Sequence, residues 1–312
     1  MDPTRRFFAR EMLELRVRRS TGVAFETLFA AIMQRRYKDY RKLEPYGNVG
    51  DRKNDGYIPK KGSYFQLFAP KDPATKVSAA AKKAKDDFKG LKQHWHKKCP
   101  IREYRFVFND NYGGTVVPLE DALNAIAKSH KIKAVPFLCK DIEEEALQLP
   151  IDEMQAVLGS IIPSPELIDD ANYNAMRDVI EHVLAKAEPI AFSGPLVAPD
   201  FDQKVEGNGL SKEVGLLLTR AGFQIGAVTD YFSMRSGSHV QDLRDHIADL
   251  YAKEKIECKQ ANLQADHVFF ALLDSITPRS DTMKAAVQDA ALVVLAYYFE
   301  ACDVFEEPDA ST

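Results

Sequence analysis

The chain has 312 residues, of which 45% are hydrophobic and 28% charged, and this composition predicts a soluble globular protein with one large or two medium domains. No apolar run approaches the roughly 20 residues that span a bilayer, and the N-terminal segment lacks the apolar core of a secretory signal. The four cysteines lie far apart without CxxC spacing, which disfavours disulfides and a zinc site. We therefore expect a cytoplasmic protein that makes no membrane contact.

The net charge of −4 conceals an asymmetry between the two halves of the chain. Residues 1–150 carry 30 Lys and Arg against 19 Asp and Glu, a net charge of +11, whereas residues 151–312 carry 12 against 27, a net charge of −15. A basic half favours contact with a polyanion, because neutralised phosphates release counterions. Two solvated charged faces would give the same count.

The first half of the chain predicts the order helix, three strands, helix, strand, helix, strand. A basic helix is expected at 3–19, and a second begins near Gly22, with Phe25, Leu28, Phe29 and Ile32 at helical spacing on a buried face. The later predicted elements are an extended piece at 41–47, strands at 55–58 and 63–69, a Lys-rich helix at 74–95, a strand at 103–109, a helix at 118–130, a strand at 133–141 and helical segments at 142–149 and 152–159.

The second half reads as helices only, after a Pro-rich stretch at 189–202 that predicts a linker or an extended crossing segment. Helices are expected at 166–188, 210–232, 240–255, 265–277 and 283–305, and Ser211 is a suitable N-terminal cap for the second of them. We therefore predict a nuclease-like domain at 1–160, a helix and linker at 161–208, and a helical partner-binding domain at 209–312.

An acidic turn followed by a short strand is the candidate site in the first half. Hydrolysis of a phosphodiester needs an activated water and neutralised phosphate charge, and Mg²⁺ (or Mn²⁺) held by hard oxygen ligands supplies both. Glu26 on the second helix, Asp55 in the turn and Gln66 on the strand could converge on such an ion. Asp51 is either a further ligand or a residue that sets the turn, and Asp110 is either a site carboxylate or a turn cap.

The turn G-D-R-K-N-D-G-Y at 50–57, followed by Y-F-Q at 64–66, resembles the Mrr-like branch of the PD-(D/E)xK nuclease superfamily. The resemblance covers about residues 20–150. It implies an α/β fold, with a restriction-endonuclease-like αβββαβ core followed by an all-α domain. It also implies that Glu26 and Asp55 are metal ligands, and that Gln66 stands where other branches carry an acidic residue.

One departure from that motif concerns the lysine that normally follows two residues after Gln66, where this chain has Phe68. Lys71, or Lys76 or Lys83 on the following helix, could take its place. The resemblance also predicts that Lys60, Lys61, Lys76 and Lys83 contact DNA, although RNA is an alternative substrate. A degenerate nuclease-like adaptor, which binds DNA or a sister subunit without cleaving, is the competing prediction.

Three segments of the second half, 201–218, 228–232 and 242–251, are similar to helical C-terminal regions of effector subunits in three-component anti-phage systems of the Lamassu or ABC-ATPase type. This similarity implies an SMC-like or ABC ATPase partner and a small third subunit. It also implies that these partners, or homo-oligomerisation, restrain a nuclease that would be toxic if free.

Overall fold

The structure, a computed structural model, describes residues 1–44, 52–164, 173–185, 201–233, 237–279, 285–301 and 304–306. Its contacts divide the chain into two compact units, one formed by Arg16–Val157 and the other by Met1–Leu15 together with Leu158–Thr312. The predicted nuclease-like domain at 1–160 therefore differs from the first of these units mainly in its first fifteen residues, which pack with the C-terminal helices.

The unit Arg16–Val157 contains a five-stranded sheet with helices on both faces. Its strands are β1 (Arg41–Lys42), β2 (Gly56–Ile58), β3 (Ser63–Phe68), β4 (Glu103–Phe108) and β5 (Lys133–Phe137). From the first residue to the end of this unit, the helices are α1 (Pro3–Arg18), α2 (Val23–Arg36), α3 (Val77–Trp95), α4 (Val117–His130), α5 (Cys139–Ala146) and α6 (Ile151–Leu158). A 3-10 turn at Ala74–Lys76 precedes α3. The predicted mixed α/β class and the predicted order of elements are confirmed in this region.

The sheet is mixed, and its strands lie in the order β1-β2-β3-β4-β5. The first three strands pair antiparallel, whereas β3 with β4 and β4 with β5 pair parallel. Parallel neighbours need a crossover, which α3 and α4 provide. The tight turn between β2 and β3 ends at Gly62, whose φ is +64° and where a Cβ atom would lie 2.7 Å from the Pro100 carbonyl oxygen. Only glycine suits this position.

Alternate side chains of β3 serve the two faces of the sheet. Phe65 packs against Phe29 of α2 and against Phe137, with ring centroids 5.6 and 6.1 Å apart. On the other face Tyr64 joins an apolar cluster with residues of α3 and α4, including Phe88 and Leu123. The predicted buried stripe of α2 is confirmed, since its four predicted residues are buried, and this stripe fixes which side of α2 faces the sheet.

The strand predicted at 133–141 ends earlier than expected, because α5 begins at Cys139. Asp110 explains this boundary. Its Oδ1 accepts from the backbone N–H of Cys139 at 2.8 Å, and its Oδ2 accepts from Gly114 N at 2.7 Å. A carboxylate at the start of a helix satisfies a backbone donor that has no partner within the helix. Of the two roles considered for Asp110, the structure shows the turn and helix cap.

The other unit is helical where the structure describes it. Its helices after residue 158 are α7 (Tyr173–Leu184), α8 (Phe201–Gly207), α9 (Lys212–Gly222), α10 (Gly226–Ser233), α11 (Gly237–Gln260), α12 (Ala265–Ile276) and α13 (Ala285–Glu300). The prediction of helices only after residue 209 is confirmed for these residues. The first part of the helix predicted at 166–188, and most of the Pro-rich stretch, lie outside the described residues. None of the described helices is long and apolar enough to cross a membrane.

Two predictions for this unit were wrong in detail. The helix expected at 210–232 is broken into α9 and α10, because Gly222 and Gly226 are poor helix formers and α13 approaches closely at the break. A Cβ atom on Gly222 would lie 2.7 Å from Glu300 Oε1. Residues expected to end the linker form α8 instead. There the buried Lys204 donates from Nζ to the carbonyl oxygen of Phe299 at 2.7 Å, which fixes α8 to α13.

The predicted cap of α9 is confirmed. Ser211 has extended backbone angles, and its Oγ accepts a hydrogen bond of 3.2 Å from the backbone N–H of Val214. The backbone N–H of Ser211 itself donates to Asp266 Oδ1 at 2.9 Å, so the start of α9 is tied to the start of α12. Such a cap typically contributes about 1 kcal/mol to helix stability.

Candidate functional site

Asp55 lies in the turn immediately before β2 and is held by the neighbouring strand. Its Oδ2 accepts hydrogen bonds from the backbone N–H of Leu67 at 2.6 Å and from Gln66 Nε2 at 2.8 Å. Hydrogen bonds to an ionised carboxylate are about twice as strong as neutral ones. The acidic turn is therefore anchored to β3, and the Asp55 carboxylate is oriented by the strand that the sequence predicted beside it.

Glu26 lies in the first turn of α2, where a negative charge interacts favourably with the helix dipole. Glu26 and Asp55, both half-buried, line one cleft of about 210 Å³ at the α2 side of the sheet. The remaining lining residues of that cleft are Phe29, Ala30, Tyr40, Lys42, Leu43, Glu44 and Leu67. The structure thus brings together the two carboxylates that the sequence singled out, although 29 residues separate them along the chain.

Tyr40 forms one wall of the cleft and stays protonated. Burial, followed by the negative charge of Asp55, raises the pKa of the Tyr40 phenol well above its ordinary value. A Cβ atom on Gly56 would lie 2.1 Å from the Tyr40 hydroxyl oxygen, so the ring can occupy this position only because residue 56 is glycine. Tyr40 is therefore available as a neutral hydrogen-bond donor beside the carboxylates.

Lys42 is the basic side chain among the described residues that line the cleft, and the sequence analysis missed it. It lies on β1 and forms an ion pair with Glu44, and both residues line the cleft with Glu26 and Asp55. Lys71, which the sequence favoured, is exposed beyond the end of β3 and is not among the described residues that line the cleft. The two-residue extended segment at 41–42 was the available signal, since an edge strand places alternate side chains on the face that α2 covers.

The position of the missing motif lysine lies on the opposite face of β3. Phe68 stacks on Phe108 with ring centroids 6.1 Å apart and an interplanar angle of 13°, and it packs against the cluster under α3 and α4. A lysine at this position would have to take the place of a core contact. Phe68 is therefore explained by packing, and the cleft with Glu26 and Asp55 lies elsewhere.

Gln66 also points to the α3 side of the sheet by strand alternation, while its Nε2 reaches Asp55. The side chain is 3% exposed, and its Oε1 is buried without a hydrogen-bond partner among the described residues. Asn54, next to Asp55, is fully buried, and neither of its side-chain polar atoms has a partner there. Buried polar atoms without partners are costly, so Gln66 Oε1, whose amide group already contacts Asp55, marks a place that suits a cation or water.

Asp87 is a buried carboxylate on α3, the helix that covers the same face of the sheet as Gln66. It is 2% exposed and forms ion pairs with Lys83 and, at 3.0 Å, with Lys53. Burial first, then the negative charges of Asp87 and Asp55, raise the pKa of Tyr104. Sequence analysis missed Asp87 and Lys53. The available signal was an acidic residue within the apolar stripe of α3, which is formed by Ala80, Ala84, Asp87, Phe88 and Leu91.

The four lysines predicted to contact nucleic acid fall in different settings. Lys60 and Lys61 lie in the turn between β2 and β3, where Lys61 Nζ is 4.3 Å from the centroid of the Tyr37 ring. Lys76 is exposed in the 3-10 turn before α3. Lys83 is half-buried and paired with Asp87, so its charge already has a partner.

Whether Glu26, Asp55 and Gln66 suit a divalent cation depends on the type of donor atom that each supplies. Two carboxylates and an amide oxygen, from Glu26, Asp55 and Gln66, are hard oxygen donors of the kind that Mg²⁺ and Mn²⁺ prefer. Within the described part of the chain no group of three or more His, Cys, Asp or Glu side chains is placed to hold a metal ion. Asp51, the other carboxylate of the acidic turn, lies outside the described residues. The types of donor atom fit a divalent cation, and the two that line the cleft are the carboxylates of Glu26 and Asp55.

A comparison with protein-family models matches residues 174–306 to C-terminal domain 10 of the ABC-three component (ABC-3C) systems. The match covers less than half of the chain and falls on the helical region for which a three-component system was predicted, so that part of the prediction is confirmed. It links the protein to ABC-3C anti-phage defence systems. No curated protein and no solved structure matches the chain. The nuclease resemblance of the first half stays a prediction.

Proposed function

We propose that this protein is the nuclease effector subunit of an ABC-3C anti-phage defence complex. In this proposal the unit Arg16–Val157 is a metal-dependent endodeoxyribonuclease of the Mrr-like PD-(D/E)xK type. The helical region that matches the ABC-3C domain docks to partner subunits. The observation that carries the proposal is that Glu26 and Asp55 line one cleft beside a mixed sheet built in the predicted order of elements.

Four residues that line the cleft, Glu26, Asp55, Leu67 and Lys42, have proposed tasks. Glu26 and Asp55 would hold Mg²⁺ or Mn²⁺, which when bound would neutralise phosphate charge and lower the pKa of water. Gln66, the third ligand that the sequence motif suggests, lies on the other face of β3 and reaches this site through its contact with Asp55. Leu67 N and Gln66 Nε2 hold the Asp55 carboxylate in place. Lys42 is the cleft residue best placed to meet a scissile phosphate oxygen, as a compact point charge. Lys71 is the alternative that the sequence motif suggests.

The decisive experiment incubates supercoiled plasmid with the purified full-length protein in Mg²⁺ or Mn²⁺, with and without EDTA. We expect nicking that requires the metal and is lost in Glu26→Gln. The matched control is Glu144→Gln, which removes an exposed carboxylate on α5 of the same unit. Nicking that persists in EDTA, or that survives Glu26→Gln, would refute the metal-cleft assignment.

A non-catalytic adaptor is the second candidate, and specific observations favour it. Phe68 occupies the position of the motif lysine, and Asp87 neutralises Lys83, which was one of the substitutes considered. An adaptor would bind DNA or a sister subunit with the same fold and would not cleave. Metal-independent DNA binding without nicking, for wild type and Glu26→Gln alike, is the result that would select the adaptor.

The partners we propose are an SMC-like or ABC ATPase and a small third subunit, which hold the nuclease inactive until it is triggered. Two large apolar side chains are exposed on one side of α9 and its C-terminal end, since Leu216 and Phe223 are 46% and 76% exposed and lie seven residues apart. We assign them to contact with the ATPase subunit. Phe223→Ser should reduce co-purification of a co-expressed ATPase without lowering the thermal midpoint, whereas Lys212→Ser should change neither.

A further inference from the structure

A basic groove lies between α3 and α4, on the face of the sheet opposite α2. Its volume is about 830 Å³, and its walls carry four lysines and two histidines, namely Lys85, Lys89, Lys92, Lys97, His96 and His130. Its floor is formed by apolar side chains such as Phe88 and Ile126. None of the described residues that line the groove is acidic. None of these residues belongs to the cleft that contains Glu26 and Asp55.

The lysines of the groove contrast with three lysines of the same unit that have acidic partners. Lys53, Lys83 and Lys133 are each paired with a carboxylate. Within the described part of the chain, none of the four groove lysines forms an ion pair, and all four are exposed. Like charges held close together repel each other, so an anion in the groove would relieve an unfavourable interaction.

The spacing of the basic residues suits a chain of phosphates. Lys85, Lys89 and Lys92 recur at i, i+4 and i+7, and His96 continues the same side of α3 at i+11. At 1.5 Å per residue this row is about 16 Å long, which is the length of about five nucleotides at 3.4 Å per phosphate along one strand. The axes of packed helices are about 8–10 Å apart, so the surface groove above the contact of α3 with α4 is narrow and suits one strand rather than a duplex.

The two walls are joined by a contact that an anion would change. Lys92 Nζ lies 2.9 Å from His130 Nδ1, and the His130 ring is 5.0 Å from the Phe88 ring. Burial first, then the positive charges of Lys92 and His96, lower the pKa of His130. A bound phosphate would offset those charges, favour protonation of His130 and add a further cation to the site.

From this geometry we infer that the groove between α3 and α4 binds a single nucleic-acid strand through its phosphates. The inference goes beyond the proposed function, because it concerns a second surface and holds whether or not the cleft cleaves. An acidic helix of a partner protein is the competing occupant. It would need large apolar anchor contacts at the floor, where Phe88 and Ile126 are only 3% and 6% exposed.

The test measures binding of the full-length protein to a fluorescein-labelled single-stranded DNA of about 20 nucleotides, a length that exceeds the expected site. EDTA is present throughout, so that the outcome does not depend on cleavage. The groove variant is Lys85→Gln, Lys89→Gln, Lys92→Gln. The charge-matched control is Lys82→Gln, Lys128→Gln, Lys140→Gln, which changes three exposed lysines of the same unit outside the groove.

We expect the groove variant to bind at least about tenfold more weakly, with the salt dependence of log K reduced by about 2, because each lost phosphate contact on a single strand contributes about 0.7. The control should lose less than about threefold. Equal losses in both variants would overturn the inference, since they would show an effect of net charge alone. Binding of poly-glutamate that is sensitive to the groove variant, with binding of DNA unaffected, would instead assign the groove to an acidic protein.

Discussion

Gln66 donates a hydrogen bond of 2.8 Å from Nε2 to Asp55 Oδ2, so that the strand after the acidic turn fixes the carboxylate of the turn. The same oxygen also accepts from Leu67 N. One oxygen of Asp55 therefore holds the turn, while the carboxylate as a whole lines the cleft with Glu26. Asp55 thus has a structural task in addition to the catalytic task proposed for it.

Replacement of Asp55 should separate these two tasks. Asp55→Asn removes the negative charge but retains an oxygen that can accept from Leu67 N. Because hydrogen bonds to a charged acceptor contribute about 1.5–3 kcal/mol and Asp55 is half-buried, we expect a loss of about 1–2 kcal/mol in the free energy of unfolding. Metal-dependent nicking should fall on the order of 100-fold. Asp72→Asn, at an exposed position, should leave nicking and urea unfolding unchanged.

Restoration of the motif lysine should fail. Phe68→Lys would remove the stacked contact with Phe108 and place a charge against an apolar cluster. We expect a loss of about 2–4 kcal/mol in the free energy of unfolding and no gain in nicking. Phe68→Leu is the matched control and should cost about 1 kcal/mol. A stable and more active Phe68→Lys protein would show that this strand position belongs to the site.

Lys42 and Lys71 can be distinguished directly. Lys42 lines the cleft, whereas Lys71 lies exposed beyond β3. Lys42→Met should reduce kcat for plasmid nicking by at least about tenfold, because it removes a positive charge next to the phosphate. Lys71→Met should change it by less than about twofold. The reverse order of effects would support the lysine that the sequence motif suggests.

Glu103 should make the sheet sensitive to acid. It accepts from Ser63 Oγ at 2.7 Å and pairs with Lys133 at 2.9 Å and Arg105 at 3.1 Å, so it links β3, β4 and β5. Burial raises the pKa of Glu103, but the interactions with Lys133, Ser63 and Arg105 outweigh it, and the pKa lies below its ordinary value. The stabilisation is therefore present above the unfolded pKa of about 4.3 and is lost as the pH falls through the lower folded value.

The measurement for Glu103 is the urea unfolding free energy as a function of pH. Glu103→Gln should lower stability by about 1 kcal/mol near neutral pH and by progressively less in acid. Glu144→Gln should show neither effect. A constant difference between wild type and Glu103→Gln at every pH would contradict the ionised network.

Much of the unit Arg16–Val157 could be predicted, because short sequence patterns identify its helices, strands and turns. Helical spacing of Phe25, Leu28, Phe29 and Ile32 identified α2 and its buried face, and the Pro59–Gly62 turn placed β2 and β3. Helix and strand boundaries set by distant contacts could not be predicted in this way. Asp110 starts α5 from 29 residues away, and the approach of Glu300 accompanies the break after α9.

The candidate site was predicted only in part, because some of its residues belong to a local motif and others are brought there by distant contacts. Glu26, Asp55 and Gln66 follow from a short motif, whereas Lys42 and Asp87 depend on which elements the sheet brings beside that motif. Lys42 reaches the cleft because β1 pairs with β2 in the register Lys42 to Gly56, next to Asp55. Asp87 reaches the buried face because α3 packs with its apolar stripe on the sheet. No local pattern specifies either arrangement.

Metal binding by the isolated protein tests the central claim most directly, because it does not depend on turnover or on partners. Calorimetric titration with Mn²⁺ should show one site per chain in wild type and in Asp72→Asn. That site should be lost in the double variant Glu26→Gln, Asp55→Asn, while circular dichroism shows the same helix content. Unchanged Mn²⁺ binding by the folded double variant would contradict a cation held between Glu26 and Asp55.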